Sequence, residues 1–128
     1  MTPPVIQRWI DMIDNHSVEG LDALLADDAV FYSPAIFAPQ EGRAKTAMYL
    51  TAAAELLGNK HFRYVGQWFG EDSAVLEFVT DLDGVQVNGV DMIQWNDDGK
   101  IVEFKVMLRP FKAMQTVMAK MAELLTRT

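Results

Sequence analysis

One acidic residue in an otherwise apolar strand face carries most of the chemistry this sequence offers. Between Val85 and Trp95 the odd positions read Val85, Val87, Gly89, Asp91, Ile93 and Trp95, and the even ones Gln86, Asn88, Val90, Met92 and Gln94. A period of two places each set on one face of a strand, and the odd set has the composition of an inner face. Asp91 falls in its middle, where an ionised carboxylate without a partner is costly. Three outcomes are open. A hydroxyl or indole N–H satisfies it within the core, or a bulge turns it outward. Otherwise it lines a ligand pocket, donating a hydrogen bond while protonated or taking a proton while ionised. Gly89 leaves space beside it for a ligand, or marks a bend.

The other chemistry-bearing residues form no comparable pattern. His16 and His61 stand far apart, without an HxxxH or HExxH partner, so no metal is expected. Asp81-Leu82-Asp83-Gly84 opens like a calcium loop but lacks the later ligands, and reads as a hairpin turn. Ser17, Ser33 and Ser73 have no GxSxG context, which argues against a hydrolase nucleophile. No phosphate-binding glycine pattern occurs, and no cofactor is expected. The chain has no cysteine, which excludes disulfides and thiolate chemistry.

The elements that must position Asp91 follow from periodicity. Val5, Ile6, Trp9, Ile10 and Ile13 recur at helical spacing behind Pro3 and Pro4. Ser17 reads as the N-cap of a short second helix through Leu21, Leu24 and Leu25 that ends near Asp27 and Asp28. A short strand from Ala29 to Ser33 stops at Pro34, and 35–42 reads as a loop forming part of a lip over the interior. Arg43 to Leu57 is a third helix, ended by Gly58. From His61 the period changes to two. Strands are expected over 62–68, with Phe62, Tyr64, Gly66 and Trp68 on one face, and over 74–82, 85–95 and 101–109. Pro110 then suits the first turn of a terminal helix carrying Phe111, Met114, Val117, Met118, Met121 and Leu125, a stripe read as core. Helices followed by a meander make the class α+β: a curved antiparallel sheet wrapped around the N-terminal helices, plus a C-terminal helix.

Composition narrows the partners. A chain of 128 residues with half its residues hydrophobic fits one domain, spanning 1–128. The net charge is −7 and the eleven Lys and Arg are scattered, so no nucleic acid partner is expected. Apolar runs are too short to span a membrane, and the N-terminus lacks the pattern of a signal peptide, which reads as a cytoplasmic protein. Val75, Val79, Val90, Met92, Ile101 and Met107 make the outer sheet face half apolar, and a homodimer through that face is expected.

The order helix, helix, short strand, helix, meander resembles the nuclear-transport-factor-2-like superfamily, which includes ketosteroid isomerase and the SnoaL-like polyketide cyclases. The likeness spans Gln7 to Arg109 and rests on Gln7-Arg8-Trp9, on Ala23 to Ala29 leading to Ser33-Pro34, and on Val90-Asp91 before Asn96 to Lys100. It implies a cone-shaped barrel with an apolar pocket, dimerising through the sheet. It also implies that Trp9 stands where the isomerase has its active-site tyrosine, Ser33 where it has its general base, and Asp91 where it has an oxyanion-hole acid. Only Asp91 is retained, and a serine cannot shuttle protons as a carboxylate does. The leading expectation is a protein that binds a small, largely apolar ligand. Its walls are Trp9, Phe31, Phe78, Phe104, Val106 and Leu108, with Ser33 and Tyr49 also at the ligand and Asp91 as anchor. The alternatives are an acid/base isomerase or cyclase in which Asp91 is catalytic, and a dimeric interaction module whose pocket is filled by its own side chains.

Overall fold

The computed structural model describes residues 1–126. Helix α1 (Pro4–Asp14) buries Val5, Ile6, Trp9 and Ile13, the stripe its spacing requires, with Pro3 as N-cap and Pro4 in the first turn. Helix α2 is a single turn (Leu21–Leu24) entered through Gly20, whose φ of 90° places it in the left-handed region. Ser17 is therefore not its cap; its hydroxyl instead accepts a hydrogen bond from the Glu19 N–H.

Strand β1 (Leu25–Tyr32) begins four residues before the Ala29 expected from sequence. Asp27 and Asp28 mimic a helix end, but they lie where the pairing register of β1 shifts, so both acids turn to solvent while Leu25, Ala26 and Ala29 stay buried. Asp27 meets Arg43 at 2.8 Å. The following loop contains a two-residue strand, β2 (Gln40–Glu41), that pairs with β1. Helix α3 (Arg43–Leu57) is pinned to β1 by Thr46, whose buried hydroxyl donates to the Ala29 carbonyl at 3.1 Å.

Strands β3 (Arg63–Phe69), β4 (Ser73–Leu82), β5 (Val85–Trp95) and β6 (Ile101–Arg109) form the antiparallel meander. The whole sheet has the order β2-β1-β6-β5-β4-β3. Two corrections follow. The sheet is mixed, because β1 runs parallel to β6, the chain having crossed over through α3 and the meander between them. It is also curved but unclosed, with β2 and β3 as free edges, so it is not a barrel.

A bulge changes the faces of β3. Tyr64 pairs with Phe78 but Gly66 with Glu77, which leaves Val65 as an extra residue. Tyr64 stays on the inner face with Phe78, whereas Trp68, opposite Val75, lies on the outer face instead of sharing Tyr64's. The Trp68 ring covers Gly66, where an added Cβ would come within 2.7 Å of it.

The concave side of the sheet is lined by Leu76, Phe78, Val87, Ile93, Phe104 and Val106, and α1, α3 and the C-terminal helix α4 (Phe111–Leu125) complete the core. Pro110 precedes α4 as its N-cap, and the Lys120 ammonium holds the helix to Asp83 in the β4–β5 turn at 2.7 Å. Only Ala113 and Val117 of α4 are buried.

Gly89 is a packing requirement rather than free space. A Cβ there would lie 2.6 Å from both Phe78 Cζ and Leu108 Cδ2 and 2.7 Å from the Met107 carbonyl oxygen. Gly89→Ala is expected to cost about 1–3 kcal/mol, read as a lower denaturation midpoint with an unchanged denaturant slope.

Candidate functional site

The interior between sheet and helices is not filled. A cavity of about 200 Å³ remains, with Trp9 from α1, Phe31 from β1, Tyr49 from α3, Phe78 from β4 and Phe104 from β6 among its walls. Val106 and Leu108 extend the β6 wall, and Ser33 stands beside Pro34 at the end of β1. Phe31 stacks on Tyr49 with ring centroids 5.4 Å apart, and Trp9 meets Phe104 edge-on at 4.9 Å. All eight wall positions named from the sequence thus border one space. Gly89 does not.

Asp91 projects into this apolar surround from the middle of β5, between Leu76 and Val106 on the neighbouring strands, and only 6 % of its surface is exposed. No bulge turns it outward. Its Oδ2 accepts a hydrogen bond from the Tyr64 hydroxyl at 2.5 Å, and that hydroxyl in turn accepts one from the Trp9 indole N–H at 2.8 Å. Helix α1 and strands β3 and β5 are therefore joined through one line of polar atoms.

Asp91 Oδ1 has no partner among the described residues. Yet no buried side-chain oxygen or nitrogen there lacks one, so Oδ1 is the atom that opens onto the cavity.

Burial raises the Asp91 carboxyl from 3.8 to about 7, with the Tyr64 hydrogen bond pulling the other way. Tyr64 is pushed well above its ordinary value by burial and by the neighbouring carboxylate, so its proton stays in place to serve Asp91. Near neutrality Asp91 is present in both forms. The neutral form can donate from Oδ1, and the ionised form can accept a proton there.

Two other polar groups at the cavity have partners elsewhere. The single N–H of Trp9 is taken up by Tyr64, and the Ser33 hydroxyl accepts from the Ala35 N–H at 3.1 Å. Among the described residues no group of His, Cys, Asp and Glu converges where a metal ion could be held.

Two sets of residues at the cavity were not singled out from the sequence. Tyr64 is one. The expectation that a satisfied Asp91 needs a hydroxyl or indole donor was its available signal, but alternation alone does not choose among the tyrosines. The other is the α4 stripe of Met114, Val117, Met118 and Met121, read as core and found to border the open space.

The family model described as a SnoaL-like domain matches residues 6–104. The chain belongs to the SnoaL-like family. Among solved structures, this SnoaL-like chain is similar to a steroid delta-isomerase from Pseudomonas aeruginosa, with 33 % identity over 94 % of this chain and 88 % of that one and a TM-score of 0.90. It is also similar to an uncharacterised bacterial protein with a cystatin-like fold from Silicibacter pomeroyi, at 28 % identity over 97 % and 87 % of the two chains and a TM-score of 0.87. A protein with a ketosteroid isomerase-like fold from Catenulispora acidiphila, in complex with trimethylamine, shares the fold at 18 % identity over 83 % and 85 %, with a TM-score of 0.62. No curated protein matches the chain. The SnoaL-like domain, within the nuclear-transport-factor-2-like fold, includes isomerases and ligand-binding proteins. No helix among the described residues is long and apolar enough to cross a membrane.

The raised carboxyl makes stability depend on pH with a definite sign. Below about pH 4 Asp91 is protonated in both folded and unfolded chains, and its contribution is fully present. As pH rises from 3.8 to about 7 the unfolded chain loses this proton before the folded one does, so the contribution declines, and above that range it is lost. Denaturant melts should show wild type losing on the order of a few kcal/mol relative to Asp91→Asn between pH 4 and pH 7. A difference that stays constant with pH would mean that Asp91 titrates normally.

Proposed function

We propose that this SnoaL-like domain binds a small, largely apolar molecule carrying one polar oxygen, which Asp91 Oδ1 contacts. The observation that carries the reading is a single carboxyl oxygen open to a cavity whose other walls are mostly hydrocarbon and aromatic rings. Tyr64 and Trp9 hold that carboxyl in place from the far side. Volume left unfilled by the protein's own side chains speaks against an interaction module with a closed core.

A ketone would accept from neutral Asp91. Its affinity should therefore fall as pH rises through about 7, and stay level in Asp91→Asn, whose amide keeps a donor at every pH. Asp91→Leu should weaken binding roughly five- to tenfold at pH 6, the loss of about one hydrogen bond. Calorimetric titration of the enone isophorone checks all three, and indifference to both pH and Asp91→Leu would remove the reading.

A second reading is favoured by the 33 % identity to a steroid delta-isomerase and by a carboxyl titrating near neutrality. Ionised Asp91 would take the α-proton of an unsaturated ketone and return it to the γ-carbon as the double bond shifts. With Ser33 in place of a second acid, both transfers fall to Asp91. Conversion of a β,γ-unsaturated ketone by wild type, abolished in an Asp91→Asn protein that still binds, would establish catalysis in place of binding alone.

The outer sheet face fits a second copy of the chain. Trp68, Val75 and Met92 lie in one cross-strand row and Val90 and Met107 in the next, and Trp68 and Met107 are more than half exposed. Arg63, Lys105 and Arg109 share the face with Glu77 and Glu103, so a twofold-related copy can oppose acids to bases. Light scattering at micromolar concentration should return the mass of two chains, and a single-chain mass would exclude the dimer.

A further inference from the structure

Resting on that binding reading, we infer that the cavity takes a molecule built on one ring with a single carbonyl or hydroxyl directed at Asp91, and excludes a four-ring skeleton. Volume carries the inference, and the placement of helix α4 supports it. An engineered apolar cavity of about 150 Å³ takes up benzene, so the 200 Å³ found here has room for roughly eight to ten non-hydrogen atoms. A four-ring steroid has about twice that many.

The way out for the excess is bordered by helix α4. The most exposed lining residues are Ala35 and Ile36, in the loop after β1, and Met118 and Ala122 on α4, and these mark the mouth. Met114, Val117 and Met121 of the same helix lie inward of it. Helix α4 therefore spans the open side of the sheet, where a longer ligand would have to pass, and the Lys120–Asp83 ion pair ties it to the β4–β5 turn.

Polarity restricts the guest as well. The Trp9 N–H and the Tyr64 hydroxyl are used within the chain that ends on Oδ2, and Oδ1 is the carboxyl oxygen left to the cavity, whose walls around it include Phe78, Phe104 and Val106. A guest with a second polar group at depth would leave it unpaired against hydrocarbon, which is costly.

Isophorone and androst-4-en-3-one present the same enone on one ring and on four, and neither carries a second polar group, so titration of both against the whole chain separates size from chemistry. Androst-4-en-3-one is the more apolar and gains more on leaving water wherever it fits. The expected result is that isophorone binds at least about tenfold more tightly, and that Met121→Ala, which widens the passage, narrows the ratio by at least about threefold. Androst-4-en-3-one binding as tightly as isophorone to the wild-type chain would overturn the size limit while leaving the binding reading intact. Failure of both ligands to bind would overturn the binding reading and the inference together.

Discussion

The structure depends on how one carboxyl group is kept inside a hydrocarbon interior. An isolated anion there would cost far more than a domain of this size has to spare, so the group must be neutral, partnered or both. Asp91 is both. Burial drives it towards the neutral form, and the Tyr64 hydroxyl holds Oδ2 whichever form is present. The Trp9 indole N–H fixes the orientation of that hydroxyl, because an oxygen that accepts from Trp9 has its one proton left for Asp91. Three elements far apart in sequence are thereby set in register by polar contacts, within a core otherwise held by non-directional packing.

The irregularities of the fold become intelligible from that line of atoms. The bulge in β3 lies immediately after Tyr64 and lets this side chain remain inward while Trp68 crosses to the outer face. The shift in β1 turns Asp27 and Asp28 outward and restores Phe31 to the inner side, against Phe104 and Tyr49. A flat sheet with neither would present different residues to the interior. An unclosed, curved sheet leaves one side to be covered by helices, and α4 covers it with methionines, whose unbranched side chains adapt to irregular space.

Much of this was legible in the sequence because the long strands alternate strictly. Val85 to Trp95 alternates without interruption, and its inner set, including Asp91, lies inward as read; the same pattern in β4 and β6 places Phe78, Phe104 and Val106. Legibility failed where a single extra residue resets the period, at Val65, around Asp27 and Asp28, and at Val102, where Ile101, read as outward, is buried in the core, because a bulge leaves no compositional mark. It failed also at α4. A stripe of Met and Val at helical spacing looks the same whether it seals a core or borders a void, and the difference lies in how far the sheet curves away beneath it. Gly89 was open to two readings, and only the positions of Phe78, Leu108 and the Met107 carbonyl decide for close packing.

The same balance explains how one scaffold can serve binding and catalysis with few changes. Two opposed effects set the state of Asp91: loss of water favours its neutral form, and the Tyr64 hydrogen bond favours the charged one. Loss of water prevails, and the balance leaves the carboxyl at about 7. Strengthening the donor would leave a permanent base, and removing it would leave a permanent hydrogen-bond donor. A second carboxylate placed at Ser33 would supply a separate proton carrier and free Asp91 to remain neutral. With serine there, its hydroxyl accepting within the local turn, Asp91 Oδ1 is the carboxyl oxygen that the proposed ligand would meet. In the proposed binding reading, the chemistry open to the domain is limited by that one carboxyl, and its selectivity by the packed rings and methionines around it.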